Sequence, residues 1–253
     1  MGSTQLKSAT QKENKMDNIS KSILLEDIIK EMSKRNLPVV FKGATVLRIM
    51  LENNNPCEIT RWTNDIDIDW VGTPLSMKEF ESLLNKVIEA VNGSLYAKAV
   101  RNYEERRAAG FDIINGYREE VVAKIDLSVK KNNFYAVYRT YDGISFYGAS
   151  IYKMIADKCC GISNKTVYRR AKDLVDLYLL SYIAPEKYVS MTYQVLRSKE
   201  YDSTLGTFED FKEGKEKIRK TFEKSKCTEK ELDFEEVYSR VEEFTKPFWG
   251  MRI

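Results

Sequence analysis

Histidine is missing from the 253-residue chain. That excludes Ser–His–Asp triads, His-ligated zinc and imidazole acid–base chemistry together. Cysteine is scarce: Cys57, Cys159, Cys160 and Cys227 form no Cys-x-x-Cys pair, and adjacent Cys159–Cys160 is a poor start for a zinc site. They read as reduced thiols of a cytosolic protein. No apolar run approaches the roughly 20 residues that cross a bilayer. The polar opening MGSTQLKSATQKENKMDN lacks the apolar stretch of a secretory signal, and residues 1–18 are expected to form a disordered leader. Net charge is small, +3, so charge alone does not announce a nucleic-acid binder, although a local basic surface is compatible with it. Chemistry is left to carboxylates, Lys, Arg, Tyr, Ser/Thr, Cys or a bound metal.

What is present is an ordinary globular composition, 43% hydrophobic, in a chain long enough for one or two domains. SILLEDIIKEMSKRN carries Leu25, Ile28, Ile29 and Met32 at helical spacing, with Ser22 as the expected cap and Asn36 and Pro38 as the stop. LPVVFKG reads as a short buried strand ending at Gly43, and ATVLRIMLENN as a second helix. Ser76 and Glu79 make a capping box for SMKEFESLLNKVIEAVNG. LYAKAV, GFDII and EEVVAKIDLSV are strands, and 138–147 is a strand or irregular. After Ser150 the pattern becomes helical: two amphipathic helices, SIYKMIADKCCG and KTVYRRAKDLVDLYLLSYI, joined by a turn at 162–164, then helices over 186–198, 207–225 and 229–246. The chain divides into a leader (1–18), an α/β domain (19–148) and an all-helical domain (149–253).

The stretch RWTNDIDIDWVG places Asp65, Asp67 and Asp69 in alternation with Ile66, Ile68 and Trp70. On a strand, Asp65 and Asp67 then share one face, about 6.6 Å apart at the backbone. Carboxylates this close raise each other's pKa unless a cation neutralises them. Asp126, in VVAKIDLSV, alternates with Ile125 and Leu127. If its strand lies beside 65–70, three carboxylates share one face, a donor set suited to Mg²⁺ (or Mn²⁺) with substrate phosphates. The turn VVFKGAT offers Lys42, Gly43 and a helix N-terminus at Ala44 and Thr45, where unpaired N–H groups meet phosphate. It is not a Walker A loop.

Taken together, FKGATVLRI, RWTNDIDIDW, KIDLSV and SIYKMIADKCCGISNKTVYRRAKDLVDLYLL resemble the AbiEii/AbiGii-type toxin nucleotidyltransferases of the DNA polymerase β-like superfamily. The likeness runs in the family's order from about residue 39 to 182. One departure is Ala44, where the family has a second Gly or a Ser; Thr45 is the substitute hydroxyl. The resemblance implies a polymerase β-like α/β domain with a mixed sheet, followed by a helical domain. It implies metal binding by Asp65, Asp67 and Asp126, and catalytic roles for these with Lys158 and Asp176. Nucleotide binding falls to Lys42, Gly43, Ala44, Thr45, Arg61, Lys158, Arg170 and Asp173. Lys158 would neutralise triphosphate charge, and Arg169 and Arg170 would hold phosphates or an RNA backbone. An ion-pair network between Lys158 and Asp173 or Asp176 fits the same spacing. Asp69 reads as a supporting or solvated acid. Arg61 reads as orienting Asp65, touching phosphate or lying on a surface loop.

The implied activity is transfer of NMP from an NTP, with Mg²⁺ or Mn²⁺, to an RNA acceptor such as a tRNA 3′ end. The implied setting is a cytoplasmic toxin of a type IV toxin–antitoxin or phage-abortive-infection pair, with a cognate antitoxin as partner and no membrane. Two other readings share the fold: a small-molecule, antibiotic-type nucleotidyltransferase and an inactive partner-binding member. Retention of Asp65, Asp67 and Asp126 argues against the last.

Overall fold

A computed structural model describes residues 17–53, 56–101, 108–129, 135–164, 170–184, 188–198 and 205–249. The expected leader up to residue 16 and Arg169 lie outside them. Helix α1 (Asn18–Lys34) starts earlier than Ser22, because the Asp17 carboxylate accepts the Ser20 N–H and caps the first turn; Ser22 is buried inside the helix. Strand β1 (Val39–Lys42) runs into α2 (Gly43–Asn53), and the acidic stretch forms β2 (Asp65–Trp70). Helix α3 (Met77–Val91) carries the Ser76/Glu79 capping box. Then come β3 (Leu95–Arg101), β4 (Ala108–Asn115), β5 (Glu120–Val129) and the hairpin β6 (Ala136–Tyr141) and β7 (Ile144–Ala149). The hairpin turns at Asp142-Gly143, with both residues at positive φ, an Asp-Gly pairing suited to a two-residue turn.

The seven strands form one mixed sheet, in the order β3-β4-β5-β2-β1-β7-β6. β2 is parallel to β5 and antiparallel to β1, while β1 is parallel to β7. Strand alternation sorts the two faces. Ile66, Ile68 and Trp70 point to the side covered by α1 and α3, where Trp70 meets Phe80 edge-on at 5.1 Å and Phe41 meets Phe146 at 5.7 Å. The aspartates of β2 take the other side.

From Ile151 every described regular element is a helix: α4 (Ile151–Ile162), α5 (Ala171–Ile183), α6 (Tyr188–Leu196), α7 (Phe208–Glu213), α8 (Lys215–Phe222) and α9 (Phe234–Trp249). The stretch read as one helix over 207–225 is two, separated at Gly214, and the last helix starts at Phe234 rather than 229. Their own core includes the stacked Phe211 and Tyr238, 4.8 Å apart. The helical half is sewn to the sheet half. Trp62 N–H donates to the Cys227 carbonyl (2.7 Å), Glu229 N–H to the Thr60 carbonyl (3.0 Å), and Arg61 bridges Thr228 as a short antiparallel pair. Helix α5 also packs on α2.

Candidate active site

The sheet register builds the site from residues far apart in sequence. One row across five neighbouring strands reads Arg101 (β3), Gly110 (β4), Asp126 (β5), Asp67 (β2) and Lys42 (β1). Directly opposed residues share a face, so Asp67 and Asp126 stand side by side with a cation at each end of the row. Asp65 precedes Asp67 by one strand repeat on the same face. Its backbone carbonyl accepts the Thr45 hydroxyl at 2.7 Å, and its carboxylate accepts the Thr63 hydroxyl.

Gly43 follows β1 with φ +71° and opens α2. A Cβ there would sit 2.1 Å from Asp67 Oδ2. The glycine therefore serves two needs: a left-handed backbone and a carboxylate lying directly on the turn. Asp67 makes no ion pair with a described residue. Burial, then repulsion from Asp65, push its pKa up to about 7, against the weaker pull of Lys158 and Lys42. A half-buried acid beside a second acid favours either a proton or an external cation.

Lys158, on α4, reaches Asp173 and Asp176 of α5, at 2.8 Å each. Burial alone would lower its pKa, but these two acids hold it above the ordinary lysine range. Arg61 is 1% exposed. Its Nε donates to Asp176 Oδ1 at 2.6 Å, and its Nη1 reaches the carbonyls of Trp62 and Cys227. Arg61 is therefore no surface loop residue; it is charged, enclosed and close enough to Asp65 to feel its field. Arg170 caps the series, 3.3 Å from Asp173. Arg61, Asp176, Lys158, Asp173 and Arg170 form a continuous chain of alternating charge beside the acid pair.

The remaining candidates fall close by. Lys42 pairs with Asp69 at 2.5 Å, and Asp69 is buried rather than solvated. Ala44 and Thr45 occupy the first turn of α2; Thr45 is buried, with its hydroxyl committed to β2. Asp126 bonds Arg101 Nη2 at 2.6 Å. Arg101 and Thr63 were not legible as site residues, because their proximity depends on strand register and a local turn. Among the described residues, no three Cys, Asp or Glu side chains are gathered to hold an ion as they stand. Asp65 and Asp67 stand one strand repeat apart on the same face, and both are hard oxygen ligands of the kind Mg²⁺ takes. Bare backbone at Gly43 and the raised Asp67 pKa fit such an ion.

A family model described as nucleotidyl transferase AbiEii toxin, type IV TA system, matches residues 24–240. The chain belongs to the AbiEii family. This AbiEii chain is accordingly a nucleotidyltransferase toxin, with an NTP as substrate and an antitoxin as its counterpart. No curated protein matches it in sequence. Among solved structures, a candidate nucleotidyltransferase from Helicobacter pylori is similar at 15% identity, TM-score 0.60, covering 92% of this chain and 95% of its own. JHP933 from Helicobacter pylori gives 14% and 0.59, covering 92% of each chain. MenT4, the nucleotidyltransferase toxin Rv2826c of Mycobacterium tuberculosis H37Rv, gives 14% and 0.49 over 100% of each. At these identities the two Helicobacter structures speak for the fold of the AbiEii chain alone. Among the described residues, no helix is long and apolar enough to cross a membrane.

Proposed function

We propose that this AbiEii chain transfers NMP from an NTP to an RNA acceptor, the 3′ end of a tRNA, and acts in the cytoplasm as a phage-defence toxin. The observation that carries the chemistry is the row in which Asp67 faces Asp126, with Asp65 one repeat away and Gly43 bare against Asp67. The division of labour follows the chain: residues 19–148 supply the acids and the Gly43 turn, and 149–253 supply Lys158.

Asp65 and Asp67, joined by Asp126, would hold a divalent cation, which when bound neutralises the triphosphate and activates the α-phosphorus toward attack. The N-terminus of α2, with Lys42 beside it, directs N–H groups and positive potential at the phosphates. Lys158 adds a fixed ammonium, held charged at any working pH by Asp173 and Asp176. Arg170, at the end of the paired chain, faces the triphosphate or the RNA backbone. Asp126 positions the acceptor hydroxyl and takes its proton. The hydroxyl oxygen bonds to the α-phosphorus, the bond to the β-phosphate oxygen breaks, and pyrophosphate leaves.

The test is incubation of the protein with total tRNA, Mg²⁺ and each labelled NTP in turn, beside Asp65→Ala/Asp67→Ala. Label on tRNA from the wild type alone is expected and identifies the nucleotide. Label on a small molecule such as an aminoglycoside would retain the chemistry and replace the acceptor. Labelling that survives loss of both aspartates would overturn the assignment.

A further inference from the structure

Asp126 is the one acid of the row that is tied to a cation from outside the acid strands. Two irregularities bring that cation to it. First, β3 shifts register between Ala99 and Arg101. Continued alternation from the Ala99–Phe111 pair would place Val100 opposite Gly110; the extra residue places Arg101 there and leaves Val100 56% exposed. Bulges of this kind re-aim a side chain. Second, the intervening strand carries no side chain at the crossing point. A Cβ on Gly110 would lie 3.5 Å from both Arg101 Cβ and Asp126 Oδ1, and 3.6 Å from Arg101 Cζ, so anything larger than a methyl would fill the path. The guanidinium thus passes over β4 and bonds Asp126 Oδ1 at 2.6 Å.

As a stabilising contact this pair is weak. The two side chains are 56% and 44% exposed, and ion pairs so open contribute little to folding. Its consequence is local. A guanidinium and a divalent cation cannot share the same carboxylate oxygen without strong repulsion.

We infer that Arg101, reaching Asp126 through the gap over Gly110, competes with the divalent cation for that carboxylate. Arrival of the cation releases Arg101. The inference rests on the reading of Asp65, Asp67 and Asp126 as the cation-binding acids, and one experiment separates the two.

Mn²⁺ binding to the full chain is measured by electron paramagnetic resonance, for wild type, Asp67→Ala, Arg101→Ala, Arg101→Lys and Gly110→Val. Asp67→Ala is expected to lose most binding. Arg101→Ala should bind about three- to fivefold more tightly, the scale of an exposed ion pair. Gly110→Val keeps every charge but blocks the path, and should match Arg101→Ala. Arg101→Lys retains a cation and should stay near wild type. If Arg101→Ala tightens binding and Gly110→Val does not, the effect is general charge and the contact plays no part. If both bind as wild type while Asp67→Ala loses Mn²⁺, the role of Arg101 is overturned and the acid site stands. If Asp67→Ala binds as wild type does, the acid-site reading falls and this inference with it.

Discussion

Two aspartates of the site, Asp67 half-buried and Asp176 fully buried, behave in opposite ways. For both, burial is the largest influence and favours the neutral acid. Asp67 has another acid, Asp65, as its next strongest neighbour, and its pKa rises to about 7. Asp176 has Arg61 and Lys158 in contact and is held below the ordinary carboxylate range. The difference is supply of countercharge. Where the chain provides its own cations, an aspartate becomes part of the fold and joins the helical half to the sheet half. Where it withholds them, the same side chain keeps a raised pKa, and on the reading proposed above it takes a cation from outside.

The contrast can be broken first at its structural end. Asp176→Leu leaves Arg61 buried without its partner, and should lower stability by about 3–5 kcal/mol. Arg61→Met/Asp176→Leu, which removes both buried charges, should recover much of that. Urea denaturation measures it; a single variant within about 1 kcal/mol of wild type would show that Asp176 is not a structural anchor.

The other end is sharpened by pH. The folded pKa of Asp67 lies above its unfolded value, so its contribution to stability is fully present below about pH 4 and is lost as pH rises through 7. The span corresponds to a contribution on the order of 4 kcal/mol at most. Asp67→Asn should remove this slope. Cation binding needs the ionised acids, so stabilisation by Mg²⁺ should be small at pH 5 and grow toward pH 8. Thermal melts with and without Mg²⁺ decide the matter; an equal Mg²⁺ effect at both pH values would contradict it.

The smallest effect concerns how the acid pair is held. Thr45→Val removes a hydroxyl bonded to the Asp65 carbonyl and should cost about 1 kcal/mol, with the KM for NTP little changed. A raised KM at unchanged stability would instead make Thr45 a phosphate ligand.

Much of this arrangement was legible along the chain. The alternation of Asp65 to Trp70 marks a strand with one acidic and one apolar face, and Ser76 with Glu79 marks a helix start, because both are local patterns with fixed periods. The end of β1 at Gly43 was equally local. Helix ends in the charged tail were not: Gly214 interrupts a segment whose periodicity continues through it. Arg61 could not be assigned, since its burial depends on a loop 166 residues further on, at Cys227. Arg101 was invisible for a sharper reason: simple alternation points Val100, not Arg101, toward Gly110.

Residue types and local periods by themselves determined that no histidine takes part in this chain's chemistry, that Asp65 and Asp67 would share a strand face, and that a glycine turn would precede a helix. These follow from covalent geometry and hold wherever the strand is placed. Which acid stands beside Asp67, which cations the acids keep, and whether a given aspartate is neutralised or left exposed to an external charge were decided only by the tertiary structure. Strand order, register and the return of the helical half bring together groups that local geometry leaves independent, and Coulomb interactions act through those distances in space, whatever the separation along the chain.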